Sequence, residues 1–190
     1  MLLVDNLYAR PDEIREQALQ LTFGPPPDPY PGRIAASAEA DGSLDAFLRW
    51  AMDLANRDYL PRLDRRIEPL TQVHSDFAIV DFHPDELADH QRVPHVDPVP
   101  IFGLVYLNRE ERGGTLFFRR TTDEHAPKPS PGYLTQSRDG FELAGRIEPA
   151  FNRLAIYPGF VPHSGEIAGD WIGSNERFTH PRLTQRLLFG

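Results

Sequence analysis

The sequence predicts a mainly β protein with flanking helices, an α+β chain whose strands form a jelly roll or similar double-sheet barrel. Three observations carry this. From about residue 72 onward, apolar residues fall in short runs separated by Gly and Pro turns, the spacing of short strands in double-sheet folds. Most of the 19 prolines are spread through loops along the chain, which fits many irregular links. Before residue 70 the apolar residues recur instead at helical spacing, in two segments. A length of 190 residues suits a single domain. In it, residues 1–70 are mainly helical support and 71–190 are the β core.

In chain order, Leu2 to Val4 reads as a short strand. A helix follows over about 11–21, with Pro11 at the first position and Asp12 and Glu13 at the positive end of its dipole. Ile14, Ala18 and Leu21 give it an apolar stripe. Residues 24–33, Gly-Pro-Pro-Pro-Asp-Pro-Tyr-Pro-Gly-Arg, cannot be helical and read as an ordered loop near a site mouth. Ser43 is the expected N-cap of a second helix over 44–58. Leu44, Phe47, Leu48, Ala51, Leu54 and Ala55 supply its buried face, and Pro61 ends it. A further helical turn is expected in 62–70, and both helices buttress one face of a sheet.

Strands are then expected over 72–82, around His95, and over 101–108, 115–120, 141–147, 153–157 and 183–189. Residues 84–92 read as a polar loop containing His90. Residues 121–140 are polar and rich in turn formers. Long loops of that kind are often lids or substrate-binding segments.

Composition narrows the function. The formal net charge is −8 and the isoelectric point near 5.3, which argues against a sequence-independent grip on nucleic acid. No apolar run is long enough to span a bilayer. The N-terminal Met1-Leu2-Leu3-Val4-Asp5 has neither the basic region nor the full apolar region of a signal peptide. Cysteine is absent, which fits a cytoplasmic location.

The chemistry centres on Arg92-Val93-Pro94-His95-Val96-Asp97-Pro98. In an extended strand, residues i and i+2 point to one face, so His95 and Asp97 can meet one ion without distorting the backbone. The best third ligand is His163, in Tyr157-Pro158-Gly159-Phe160-Val161-Pro162-His163-Ser164-Gly165. Two His and one carboxylate on one side of a metal make the facial triad of non-haem Fe(II) sites, with positions left open for a cosubstrate and O2. The residue types alone do not distinguish such a site from a zinc site. His74 and His83 are not expected to be ligands.

The order of segments around the triad carries a resemblance. His95-x-Asp97 is followed by Phe102-Gly103-Leu104-Val105-Tyr106-Leu107-Asn108, Gly113-Gly114-Thr115-Leu116-Phe117-Phe118, the Pro158-Gly159 turn, His163, and a last strand with Arg182 and Arg186. This order resembles the Fe(II)/2-oxoglutarate-dependent dioxygenases, most closely their prolyl-hydroxylase-like branch. The local wording also resembles a small bacterial family of that superfamily whose function is not known. The resemblance covers about residues 73–190.

It implies a double-stranded β-helix, cupin-like, holding Fe(II) on His95, Asp97 and His163. It implies 2-oxoglutarate as cosubstrate, with its far carboxylate on an arginine of the last strand. Arginine offers a planar, always-charged fork for that purpose. Arg182-Leu183-Thr184 matches the family setting best, with Tyr106 as the tyrosine of the "YLN" strand reaching the same carboxylate. Arg182 lies 19 positions after His163 (182 minus 163), longer than the family spacing, so an insertion must loop out between them. Arg186 starts roughly 13 Å further along the strand and is expected to be an ion-paired residue of the barrel, with a contact to an acidic group of the substrate as the alternative. The presence of Asp97 favours hydroxylation over halogenation. The expected partners are O2 and a small molecule, amino acid or peptide side chain, with neither nucleic acid nor membrane, and a homodimer is compatible with the sequence. Two alternatives compete: a cupin-like metal enzyme that does not use 2-oxoglutarate, and a non-catalytic metal- or ligand-binding sensor on the same fold.

Overall fold

The computed structural model describes residues 1–25, 30–37, 43–82, 86–121, 130, 132–167 and 182–190. Its strands form two antiparallel sheets. The larger contains, in spatial order, β1 (Leu2–Val4), β7 (Arg153–Pro158), β4 (Ile101–Tyr106), β9 (Arg182–Phe189), β3 (Val73–Val80) and β2 (Arg33–Ala36). The smaller contains β6 (Phe141–Ile147), β5 (Thr115–Arg120) and β8 (His163–Gly165).

Period two in the central strands divides the interior. On β9, Leu183, Leu187 and Phe189 point to one face with Ile101, Val105, Leu154 and Ile156, and pack on helix residues Ala18, Ala51 and Ala55. Each such fully buried aliphatic or aromatic side chain contributes about 1.5–3 kcal/mol, so this face anchors the helices. The alternate residues Arg182, Thr184, Arg186 and Leu188 share the opposite face. There β4 contributes Phe102, Leu104 and Tyr106 and β7 contributes Tyr157, in a cluster with Phe117 of β5 and Ile147 of β6. The large sheet is therefore buried on both sides, apolar beneath and carrying charge toward the smaller sheet.

The helices are shorter than expected. The first, α1, spans Pro11–Leu19 with Pro at its start and Asp12 and Glu13 in its first turn. The second, α2, spans Ser43–Leu54, beginning on the residue expected to cap it. The path continues as a wide π turn, Ala55–Tyr59, and a tight 3-10 turn, Leu60–Arg62, where Pro61 has no N–H to carry the helix further. The helical turn expected in 62–70 is absent beyond Arg62. That segment is tied down by a side chain instead: Asn56 Nδ2 donates to the Leu70 carbonyl at 2.9 Å and the Leu70 N–H donates to Asn56 Oδ1 at 2.8 Å.

Two strands were not expected. The edge strand β2 emerges directly from the proline-rich stretch and pairs with β3, Arg33 opposite Ile79. The three-residue β8 follows Pro162, and so short a run shows no period. Around His95 there is no full strand, only a bridge to His163. The strand expected over 101–108 ends at Tyr106, where Asn108 Nδ2 turns to the carbonyls of Glu110 (3.1 Å) and Arg112 (2.6 Å) and closes the next loop. Of the expected 121–140 lid, residues 122–129 and 131 lie outside the described residues.

Candidate metal centre

The backbone brings His95 to His163 before any side chain acts. The His95 N–H donates to the His163 carbonyl at 2.9 Å, and the His163 N–H donates back at 2.8 Å. Two residues on, the Asp97 N–H donates to the Gly159 carbonyl at 2.8 Å. The turn can press this close because residue 159 is glycine: a Cβ there would stand 2.2 Å from the Val99 carbonyl oxygen and 3.3 Å from Asp97 Cβ. Pro158-Gly159 therefore shapes the carboxylate's position as well as reversing the chain.

One ligand atom from each of His95, Asp97 and His163 lies within 4.8 Å of the others. The His163 Nδ1 sits 2.8 Å from the Val161 carbonyl. A carbonyl only accepts, so Nδ1 carries the proton. In the neutral ring, Nε2 is then a bare lone pair, and it faces Asp97 Oδ2 at 3.1 Å. Asp97 Oδ2 is buried and lacks a hydrogen-bond partner among the described residues. Two acceptors at that separation need a proton or a cation between them. His95 adds a third donor atom: burial above all, with the charges of His163 and Arg186 assisting and Asp97 opposing, lowers its pKa to about 4. Its imidazole is thus neutral near pH 7, the form that binds a metal. The geometry fits a cation held by two nitrogens and one carboxylate oxygen, with the His163 ring oriented from behind by a carbonyl, as ligating histidines usually are.

A cavity of about 40 Å³ opens on these groups, and Arg182 and Arg186 both line it. The two arginines are committed differently. Arg186 makes a two-pronged ion pair with buried Asp76, Nε to Oδ1 and Nη2 to Oδ2, both at 2.6 Å. Arg182 has no acidic partner among the described residues. Its Nε donates to the Gly113 carbonyl at 2.7 Å and its Nη2 to the Gly114 carbonyl at 3.3 Å, and it is only 4% exposed. The Gly113-Gly114 pair is its seat. Gly113 has φ +80°, and a Cβ there would press on the Arg182 side chain at 3.0 Å.

The other sequence candidates fall close by. Thr184 lies directly across from Tyr106 in the β4–β9 ladder. The Tyr106 hydroxyl hydrogen-bonds Thr115 Oγ1 at 2.7 Å, and Arg182 lies over its ring at 6.0 Å. Neither Tyr106 nor Thr184 lines the cavity, whereas Tyr30, Thr115, Tyr157 and Ser164 do. Tyr30 comes from the proline-rich stretch, where only its position near an expected site mouth hinted at this.

His74-Ser75-Asp76 and His83-Pro84-Asp85 have the same His-x-Asp spacing, so spacing gives no reason to set them aside. The fold does so for the first. Asp76 is taken by Arg186, and the His74 side chain is 69% exposed. The second lies outside the described residues.

The mainly β fold of two antiparallel sheets is shared with a solved enzyme structure. A Pseudomonas putida prolyl-4-hydroxylase aligns with 99% of this chain and 90% of its own, with a TM-score of 0.55 at 17% identity. That likeness establishes a shared fold. The non-heme alpha ketoglutarate dependent epimerase SnoN from nogalamycin biosynthesis also matches, with a TM-score of 0.46 at 14% identity over 99% of this chain and 77% of its own. No curated protein matches the sequence. The chain belongs to the Family of unknown function (DUF6445), whose profile matches residues 1–128 and 119–189. No helix among the described residues is long and apolar enough to cross a membrane.

Proposed function

We propose that this protein is an Fe(II)- and 2-oxoglutarate-dependent oxygenase of the prolyl-hydroxylase-like branch, hydroxylating a small molecule, an amino acid or a peptide side chain. In this reading its two sheets form a double-stranded β-helix. One observation carries it: a His-His-Asp cluster shares a small cavity with Arg182, a buried guanidinium that has no acidic partner among the described residues. A buried charge is costly unless it is paired, and an anion in the cavity would pair this one. A ligand that chelates a metal at one end and carries a carboxylate at the other supplies it. A metal enzyme without 2-oxoglutarate would need some other anion to pair with this arginine.

Bound together, Fe(II) and 2-oxoglutarate would supply the oxidising chemistry, and the protein positions and shields them. His95, Asp97 and His163 would hold the metal on one side. The Val161 carbonyl keeps the His163 proton on Nδ1, so that Nε2 stays free to ligate. Arg182, braced by the Gly113 and Gly114 carbonyls, would receive the far carboxylate. Phe102, Leu104 and Tyr157 on the lining restrict water, which strengthens every charged contact inside.

The test is the conversion of 2-oxoglutarate to succinate by the purified protein, with and without Fe(II) and O2. Succinate that requires both, even slowly and without a primary substrate, is the expected result. Its complete absence in Fe(II)-loaded, folded protein, across a panel of amino acids and peptides, would sink the assignment.

A further inference from the structure

The cavity holds more unpaired polarity than Arg182. Tyr30 Oη and Ser164 Oγ, on its lining, and Thr184 Oγ1 are buried without a hydrogen-bond partner among the described residues. The Tyr30 hydroxyl approaches Thr184 Oγ1, yet neither oxygen completes a bond. Leaving a buried hydroxyl unsatisfied is destabilising, so such groups beside a buried cation suggest a ligand.

Tyr106 is poorly placed for that part. Its hydroxyl is already engaged by Thr115 at 2.7 Å. Tyr30 has no bond of that kind, only the Thr184 hydroxyl nearby, and its backbone and ring are held firmly. Gln91 Nε2 donates to the Tyr30 carbonyl at 3.0 Å, Arg186 stacks over its ring at 5.1 Å, and Arg33, three residues on, pairs with Ile79 in the sheet. The charges of Arg182 and Arg186 both reach the hydroxyl, while burial, the largest influence, keeps it protonated. It is therefore a donor facing the same space as Arg182.

We propose that Tyr30 donates its hydroxyl to the carboxylate that Arg182 binds, taking the role that the family resemblance gives to Tyr106. The specific consequence is that a residue from the segment before β2, outside the central strands, completes the anion pocket. Thr184 Oγ1 then serves as its neighbour on β9. This inference rests on the oxygenase reading above, because the anion it names is the cosubstrate's far carboxylate.

The experiment is isothermal titration of 2-oxoglutarate into Mn(II)-loaded wild type, Tyr30→Phe and Tyr106→Phe, with thermal melts of the metal-free proteins. Loss of one hydrogen bond to a charged group predicts about tenfold weaker binding, or more, for Tyr30→Phe, and binding within about twofold for Tyr106→Phe. Metal-free Tyr30→Phe should melt at or above the wild-type temperature, since it removes an unsatisfied hydroxyl. A hydroxyl with a purely structural role would lower it. Equal affinity of wild type and Tyr30→Phe overturns the Tyr30 assignment alone, as does weakening confined to Tyr106→Phe. Absence of 2-oxoglutarate binding by metal-loaded wild type overturns the oxygenase reading, and Tyr30's role with it.

Discussion

The two arginines of β9 differ in what each leaves behind when removed. Arg186→Ala strands Asp76, a carboxylate whose side chain is only 7% exposed. Breaking a buried pair from one side typically costs about 3–5 kcal/mol, so a large drop in melting temperature is expected. Arg182→Ala strands no acid among the described residues; it frees two carbonyls and should destabilise far less. Kinetics should show the opposite ranking. Arg182→Ala is expected to raise the apparent KM for 2-oxoglutarate by about tenfold or more, from the loss of charged hydrogen bonding, with Arg186→Ala much closer to wild type among molecules that remain folded. Large KM effects from Arg186→Ala with little change in stability would reverse the assignment. The ligands permit a simpler check. His95→Ala, Asp97→Ala and His163→Ala should each weaken Mn(II) binding by about a hundredfold, because each removes one of three coordinating atoms, and calorimetry reads this without turnover. Unchanged affinity in all three variants would remove the metal centre.

These residues also mark how far the sequence could be read. That His95, Asp97 and His163 come together was legible from motif order, which is information about the whole segment. His-x-Asp spacing alone nominates His74 and His83 equally, and only the Asp76–Arg186 pair seen in the fold excludes the first. The contrast between Arg182 and Arg186 was visible as register on one strand. The identity of Arg186's partner was not, because Asp76 is 110 residues away in sequence. Tyr30 was hidden for the same reason: a residue in a proline-rich stretch has no periodicity, and its burial is decided by which strand the chain joins next.

At the scale of elements, the turns carry the precision. Gly159 is where the Pro158-Gly159 reversal lies against the strand-like segment of Asp97. An added Cβ meets a backbone carbonyl at 2.2 Å, and a backbone atom cannot swing aside as a flexible side chain can. Gly159→Ala should therefore displace the Asp97 segment, at a stability cost of about 1–3 kcal/mol. The metal affinity should fall by about tenfold or more, although no ligand has been touched. Calorimetry with Mn(II), alongside the circular dichroism of the variant, separates this from unfolding. Native-like affinity in a folded Gly159→Ala protein would mean that the turn reverses the chain and does nothing further. The strands themselves were legible wherever period two or an apolar run extended over six residues or more. The short β2 and β8, and the irregular end of the second helix, depend on pairing or side-chain ties that no local pattern encodes.

For the whole molecule, the same burial that readies the site for a metal makes the metal-free protein sensitive to acid. His95 in the folded chain has its pKa lowered from 6.5 to about 4. The unfolded chain therefore takes up a proton at higher pH than the native one. Stability rises with pH wherever the unfolded state binds more protons, so this contribution is complete above about pH 6.5. It is lost as the pH falls toward 4, below which both states are protonated. Allowing for the partial exposure of the ring, it is on the order of 2 kcal/mol. Many carboxylates titrate in the same range, so the informative quantity is a difference. Metal-free wild type should lose more stability than His95→Gln between pH 6.5 and 4, by roughly that amount, since Gln has the polarity without the titration. Denaturant unfolding at several pH values measures it. A bound divalent cation competes with the same proton, so Mn(II) should raise the melting temperature of wild type strongly at neutral pH and progressively less as the pH falls, with little effect on His95→Gln at any pH. Parallel stability profiles for the two metal-free proteins would show that His95 is not held neutral by the fold.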